Sequence, residues 1–118
     1  MLSFGRHRIH LATRHADFRK SIDGLSGEVR RVLDADPSSG HVFVFHNRRR
    51  TALKLLWFDR GGFCLLYRRL ERGRFKLPQF HKEAVRVELS TAELEALVES
   101  LQLVKIHAGE RWSPTSSD

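Results

Sequence analysis

The arginines are the residues of this sequence with the most evident chemistry. Sixteen of the 21 basic residues are arginine, and the formal net charge at pH 7 is +7. A guanidinium binds phosphate through a planar fork of donors, so an excess of arginine favours anionic partners. Residues 41–82 contain eleven basic and two acidic side chains, whereas residues 83–118 contain three and seven. This segregation favours a binding surface, and the alternative is that the arginines serve only solubility.

Two groups of basic residues form the candidate site. One lies in a predicted hairpin tip, and the other follows the next pair of predicted strands. In an antiparallel meander the first tip and the exit of the third strand share one end of the sheet, so the two groups are predicted to meet. Such a patch contacts phosphates and predicts salt-dependent binding to DNA. The candidate nucleic-acid-binding residues are Arg48, Arg49, Arg50, Lys54, Arg68, Arg69, Arg72, Arg74 and Lys76.

Catalytic or metal-binding residues are not grouped in a recognisable pattern. The seven histidines are scattered, and there is neither a Cys-x-x-Cys pair nor a His-Glu-x-x-His segment, so we predict no metal and no cofactor. Asp23, Asp59 and Glu71 could together hold magnesium for a nuclease. However, Asp23 is predicted to cap a helix or to pair with Arg19 or Lys20, and Asp59 to close a turn. We therefore expect a protein that is not an enzyme.

Length and composition predict one α+β domain over residues 1–108, followed by a mobile polar tail over residues 109–118. No apolar run approaches the roughly 20 residues that span a bilayer, and no secretory signal is evident. The single cysteine, Cys64, lies in an apolar run and is predicted to be a packed thiol. These features lead us to expect a cytoplasmic protein without membrane contact.

The N-terminal third predicts a strand followed by a helix. Ile9 to Ala12 is a short strand candidate, and Asp17 is predicted to cap a helix that ends before Pro37. Gly24 and Gly27 are predicted to permit close approach of this helix to the sheet. The predicted apolar positions of the helix are Phe18, Ile22, Leu25, Val29, Val32 and Leu33.

The centre of the chain predicts an antiparallel meander. Three apolar runs, His41 to His46, Leu53 to Asp59 and Phe63 to Leu70, are separated by short turn signals. Both faces of these strands are apolar, and two helices are not expected to cover both of them. We therefore predict a homodimer in which a partner subunit shields the remaining face. The alternative is that the N-terminal segment and the connector around Phe75 and Phe80 supply the missing cover.

The C-terminal third predicts a connector, a strand and a second helix. Leu70 to Pro78 is typical of a basic connector or an edge strand, and Ala84 to Leu89 alternates as a half-buried strand does. Ser90 and Glu93 have the spacing of a capping box, which predicts a helix from Thr91. The predicted inward positions of that helix are Leu94, Leu97, Val98 and Leu101.

Several short segments in this order resemble the accessory proteins of the insertion sequence sixty-six class, the TnpB-type proteins encoded beside a much larger transposase. The resemblance extends from about residue 8 to residue 103. The matching segments are Asp17-Phe18-Arg19-Lys20, Asp23-Gly24-Leu25, Asp36-Pro37, Gly40-His41, Phe43-Val44-Phe45, Asn47-Arg48-Arg49-Arg50, Lys54, Trp57-Phe58-Asp59 and Arg69-Leu70-Glu71-Arg72-Gly73-Arg74-Phe75.

The resemblance implies a role in the transposition of a mobile genetic element and supplies no molecular mechanism. A chain of this length does not readily house the ribonuclease-H-like core of a transposase. Our first hypothesis is an accessory protein that binds DNA through the arginine patch. A second is an adaptor whose basic surface docks the element-encoded transposase, and a third is a small nuclease.

Overall fold

The computed structural model describes the backbone of residues 7–106 and the side chains of residues 7–99. The predicted polar tail and the side chain of Leu101 lie outside these residues. The elements in chain order are β1 (Ile9–Ala12), α1 (Ile22–Arg31), β2 (Val42–His46), β3 (Ala52–Asp59), β4 (Gly62–Arg69), β5 (Arg86–Leu89) and α2 (Thr91–Ile106).

The five strands form one sheet in the order β4-β3-β2-β1-β5. Strands β2, β3 and β4 form the predicted antiparallel meander. Strand β1 lies parallel to β2 and is connected to it through α1, while β5 lies antiparallel to β1. The fold is therefore α+β, as predicted, with one parallel pair at its centre.

The centre of the sheet is covered on both faces within the chain. The face that packs on α1 is centred on Phe43, Phe45 and Leu56, and the opposite face, which packs on α2, contains Val44 and Leu55. All five of these side chains are buried. The centre of each face is therefore covered within the chain, whereas Trp57 and Phe58 at the end of β3 are only half-buried. The predicted homodimer stays a prediction.

The connector after β4 supplies part of this cover. The segment from residue 70 to residue 78 contains no strand, and Phe75 within it is only 1% exposed. Its ring belongs to the hydrophobic cluster on the α2 face. The connector therefore adds an aromatic ring where the second helix alone would leave space.

The start of the first helix differs from the prediction. Asp17 accepts a hydrogen bond from the backbone amide of Arg19, at 2.9 Å, and so closes a turn instead of capping α1. The helix begins five residues later, at Ile22. Phe18 packs on the core from that turn, whereas Val32 is exposed.

The two helical glycines also have a different setting from the predicted one. A Cβ atom at Gly24 would meet the side chain of Lys20 at 2.9 Å, and at Gly27 the nearest atom is in the Arg31 side chain. Neither glycine therefore permits close approach to the sheet. Asp23 does not pair as predicted, because Arg19 binds Asp17 and Lys20 binds Glu28.

The predicted capping box is present at the start of α2. The Ser90 amide donates to Oε1 of Glu93 at 2.8 Å, and the Glu93 amide donates to Oγ of Ser90 at 3.0 Å. Leu94 and Leu97 are buried and Val98 packs beside them. Within the described residues, no helix has the length and apolarity needed to cross a membrane.

Candidate nucleic-acid interface

The tip between β2 and β3 presents three consecutive arginines, and Asn47 fixes its shape. Oδ1 of Asn47 accepts hydrogen bonds from the amides of Thr51 and Ala52, at 2.8 and 3.1 Å. Its Nδ2 donates to the Thr51 hydroxyl at 2.9 Å. Arg50 has a φ of 61°, in the left-handed region, and completes the turn. The side chain of one residue thus holds the loop that carries Arg48 and Arg49.

The arginines of the connector lie beside this tip, as predicted. The amide of Leu70 donates to the carbonyl of Thr51 at 2.8 Å, and the amide of Phe75 donates to the carbonyl of Arg50 at 2.6 Å. Phe75 is also anchored in the core, so the chain between these two bonds is tied to the tip at both ends. The structure therefore brings residues 48–50 and 72–74 together at one end of the sheet.

Most cations of this surface are available to a ligand. Arg48, Arg49, Arg50, Arg72 and Arg74 are exposed and form no ion pair with any described residue. Mutual repulsion among five cations at one sheet end is relieved when a polyanion binds. We refer to these five residues as the arginine surface.

The remaining candidates have mixed settings. Arg69 lies 3.3 Å from the Glu71 carboxylate, and both side chains are largely exposed. Lys76 is exposed at the end of the connector. Arg68 is half-buried and faces the α2 side of the sheet, because it pairs across the strands with Leu53. Arg69 and Lys76 border the arginine surface, whereas Arg68 points away from it.

Lys54 does not belong to the arginine surface. It is only 8% exposed, and its Nζ donates to the carbonyl oxygens of Phe18 and Lys20, at 2.9 and 2.7 Å. The ammonium also lies 5.0 Å from the ring centre of Phe18 and 5.6 Å from that of Tyr67. The charge is therefore used inside the fold, and we remove Lys54 from the candidate phosphate contacts.

An open cleft of about 530 Å³ separates the tip from the segment that precedes α1. Its wall combines cations with acids, because Asp17 binds Arg19 at 2.7 Å and Glu28 binds Lys20 at 2.8 Å. The Arg19 contact lowers the pKa of Asp17 to about 2. The lining residues are His15, Ala16, Asp17, Phe18, Lys20, Glu28, Asn47, Arg48 and Arg49.

His46 lies under the tip at the end of β2. Its Nε2 is 3.3 Å from the carbonyl oxygen of Thr13, and its Nδ1 is 3.3 Å from that of Asn47. Burial lowers the pKa of His46 because desolvation disfavours the charged imidazolium. A neutral imidazole has one N–H, so the ring donates to one of these two carbonyls, and the tautomer determines which one.

Sequence reasoning missed two basic residues at this end of the sheet. β1 runs parallel to β2, and the amide of Ala16 donates to the carbonyl of His46 at 2.9 Å. Arg14 and His15, which follow β1 and are exposed, therefore emerge at the end that carries the tip. The parallel pairing was the missing information, since the sequence showed only an isolated four-residue strand.

The acids proposed for a nuclease do not form a site. Asp59 pairs with Gly62 at the start of β4, whereas Glu71 lies two residues beyond its end. An eight-residue strand extends over more than 20 Å, so one metal ion cannot bind both carboxylates. Within the described residues, no group of three histidines, cysteines or acids could hold a metal ion.

Comparison with known proteins identifies the family. Residues 7–108 match the model of the family described as IS66 Orf2 like protein. The chain is 37% identical over 116 residues to the uncharacterized protein y4hO of Sinorhizobium fredii, covering 98% of this chain and 97% of that protein. It is 34% identical over 108 residues to the uncharacterized protein y4jC of the same organism, covering 92% and 91%. No solved structure matches the chain.

This chain therefore belongs to the IS66 Orf2-like family, the accessory proteins of a class of insertion sequence. The resemblance noted in the sequence is confirmed. Several matching segments have structural roles: Asn47 shapes the tip, and Lys54 fastens Phe18 and Lys20 to the sheet. The side chains of the three arginines that follow Asn47 form no hydrogen bond or ion pair among the described contacts, although the backbone of Arg50 shapes the turn.

Proposed function

We propose that the protein supports transposition by binding duplex DNA through the arginine surface, without catalysing a reaction itself. The observation that carries this proposal is the grouping of Arg48, Arg49, Arg50, Arg72 and Arg74 at one end of the sheet. These side chains are exposed and have no described acidic partner. Guanidinium groups in such a cluster bind phosphate oxygens and carry no base preference of their own.

The scaffold supports this use of the surface. The two segments that carry the arginines are joined by backbone hydrogen bonds at Thr51 and Arg50, and Phe75 anchors the connector in the core. The cations are therefore held close together before DNA arrives, which lowers the ordering cost of binding. Arg14 and Arg69 lie at the same end and extend the basic area around the tip.

The first experiment compares DNA binding by two variants that lose the same charge. The triple variant Arg48→Ala, Arg49→Ala, Arg50→Ala removes three cations from the tip. The control replaces Arg30, Arg31 and Arg60, which lie at the end of α1 and in the β3–β4 turn. Fluorescence anisotropy with a labelled duplex at low salt measures both affinities.

We expect the tip variant to lose at least tenfold in affinity and the control to lose less than threefold, since the tip contacts phosphate directly. Duplexes from the ends of the element and unrelated duplexes of equal length are compared in the same titration. Equal losses in the two variants would contradict the proposal. Binding of the transposase with no DNA affinity at low salt would instead support the adaptor hypothesis.

A further inference from the structure

Strand β4 is the outer strand on one side of the sheet among the described residues. It is eight residues long and carries no charged side chain between Gly62 and Tyr67. Phe63, Cys64, Leu65 and Leu66 are only half-buried, and Tyr67 is 52% exposed. Neighbouring β3 is buried over its first five residues. A long outer strand with no charge over its first six residues and with incompletely covered apolar side chains is typical of an edge that pairs with another chain.

The β3–β4 turn shows which backbone groups of β4 face outward. Arg60 and Gly61 have φ values of 49° and 83° and form a two-residue turn that pairs Asp59 with Gly62. In such a turn the amide of the last residue donates to the carbonyl of the first, so the Gly62 amide points toward β3.

Antiparallel pairing alternates the direction of these groups along the strand. The amide of Leu70 donates to Thr51, in the loop that leads into β3, which agrees with this alternation. The backbone groups of Phe63, Leu65 and Tyr67 therefore face away from β3. Their side chains all lie on the α1 face of the sheet, because they pair with Phe58, Leu56 and Lys54.

We infer that β4 pairs antiparallel with β4 of a second copy of this chain, joining two five-stranded sheets into one. A two-fold axis perpendicular to the sheet keeps the α1 faces of both copies on the same side. The register that matches apolar groups places Leu65 opposite Leu65 of the partner subunit, on the axis. Phe63 then faces Tyr67 of the partner subunit, and this aromatic pair occurs twice.

Charge complementarity on the other face favours the same register. Arg68 falls opposite Gly62 of the partner subunit, which has no side chain, and the next strand carries Asp59 of the partner subunit. Within its own copy that carboxylate lies 3.4 Å from Arg60, whose side chain is 90% exposed, so the pair is weak. The Cα atoms of Arg68 and of the partner's Asp59 are two strand spacings apart, about 9.5 Å. Extended arginine and aspartate side chains can bridge this distance. Within one copy, Nε of Arg68 is buried without a hydrogen-bond partner, and Arg68 forms no ion pair with a described residue.

The other outer strand lacks these properties. Strand β5 has four residues, and its charged side chains already have partners: Glu88 binds Arg8 at 2.7 Å, and Arg86 donates to the carbonyl of Leu33. Short, charged outer strands resist pairing. Strand β4 is self-complementary, because it has arginine near its end and an aspartate beside its start. We therefore expect the strand that pairs with β4 to be β4 of a second copy of this chain. This inference does not depend on DNA binding.

Disulfide trapping tests both the dimer and its register. In the register above, the Leu65 Cα atoms lie about 5.5 Å apart, within the range of a disulfide, whereas the Cys64 Cα atoms lie about 8 Å apart and outside it. We expect the variant Cys64→Ser, Leu65→Cys to form a covalent dimer under mild oxidation, and the wild-type chain to remain uncrosslinked. Crosslinking through Cys64 with none through residue 65 would overturn the register.

Sedimentation and a charge exchange provide the second test. The wild-type chain should sediment at about 27 kDa, twice its mass of 13.7 kDa. Either Arg68→Asp or Asp59→Arg alone should raise the dimer dissociation constant about tenfold or more, since the Arg68–Asp59 contact occurs twice and both copies become repulsive. The double variant restores opposite charges and should recover the wild-type dissociation constant. Circular dichroism confirms that each variant is folded. A wild-type monomer at high micromolar concentration would overturn the inference, as would a double variant no better than the single ones.

Discussion

Lys54 offers a sharp test of the structure, because its charge lies inside the fold instead of on the arginine surface. Its Nζ donates to the carbonyls of Phe18 and Lys20, which lie in the segment before α1. Replacement by methionine keeps the length of the side chain and removes both hydrogen bonds. The two carbonyls are then left without this donor, and the segment loses its tie to β3.

The expected loss follows from these contacts. A hydrogen bond to a charged group contributes about 1.5–3 kcal/mol, and each cation–π contact about 0.5–1 kcal/mol. Burying methionine does not carry the desolvation penalty of an ammonium group, which offsets part of that sum. We expect the free energy of unfolding to fall by about 2–3 kcal/mol, which lowers the Tm of a domain of this size by about 8–12 °C.

Urea denaturation followed by circular dichroism measures this loss, with Lys82→Met as the control. Lys82 is exposed, so its replacement should change the free energy of unfolding by less than about 0.5 kcal/mol. Under conditions where Lys54→Met remains folded, its DNA affinity should stay within threefold of wild type. A stable Lys54→Met variant with DNA binding as weak as that of Arg49→Ala would refute the reasoning.

Three further predictions concern the tip, the buried histidine and the acids. Asn47→Ala removes the acceptor for two tip amides and should lower the free energy of unfolding, measured in urea melts, by about 1–2 kcal/mol. The same variant should also bind DNA more weakly, because the tip loses the hydrogen bonds that fix its shape. Because burial lowers the pKa of His46, its contribution to stability is complete above about pH 6.5 and is lost as the pH falls through the lowered value. Urea melts from pH 7.5 to 5 should show a smaller decline for His46→Gln than for wild type. Incubation with plasmid and magnesium or manganese should leave the DNA intact; cleavage that is abolished by Asp59→Asn or Glu71→Gln would contradict this.

The strands and the second helix could be predicted because local patterns determine them. The three apolar runs between short turns specify the meander, and the Ser90 to Glu93 spacing specifies the start of α2. In each case the partner residues are neighbours in sequence or lie across a short hairpin. The meeting of the two arginine groups followed from the same short-range topology.

The remaining features depend on contacts between distant segments. The parallel pairing of β1 with β2 has no turn signal, so the position of Arg14 beside the tip could not be read from the sequence. Lys54 lies between two leucines in β3, and a lysine in such a pattern ordinarily points to the solvent-exposed face of a sheet. Its burial requires the carbonyls of the segment before α1, which lies 34 residues or more away in the chain.

The salt dependence of DNA binding by the tip variant tests the central claim most directly. Each phosphate contact adds about −0.9 to the slope of log affinity against log salt on duplex DNA, so three arginines that contact phosphates contribute about −2.7. Titrations between 50 and about 200 mM salt should show that Arg48→Ala, Arg49→Ala, Arg50→Ala flattens the slope by roughly that amount. The Arg30, Arg31, Arg60 control should keep the wild-type slope. An unchanged slope in the tip variant would contradict the account, since it would show that these arginines do not neutralise phosphates.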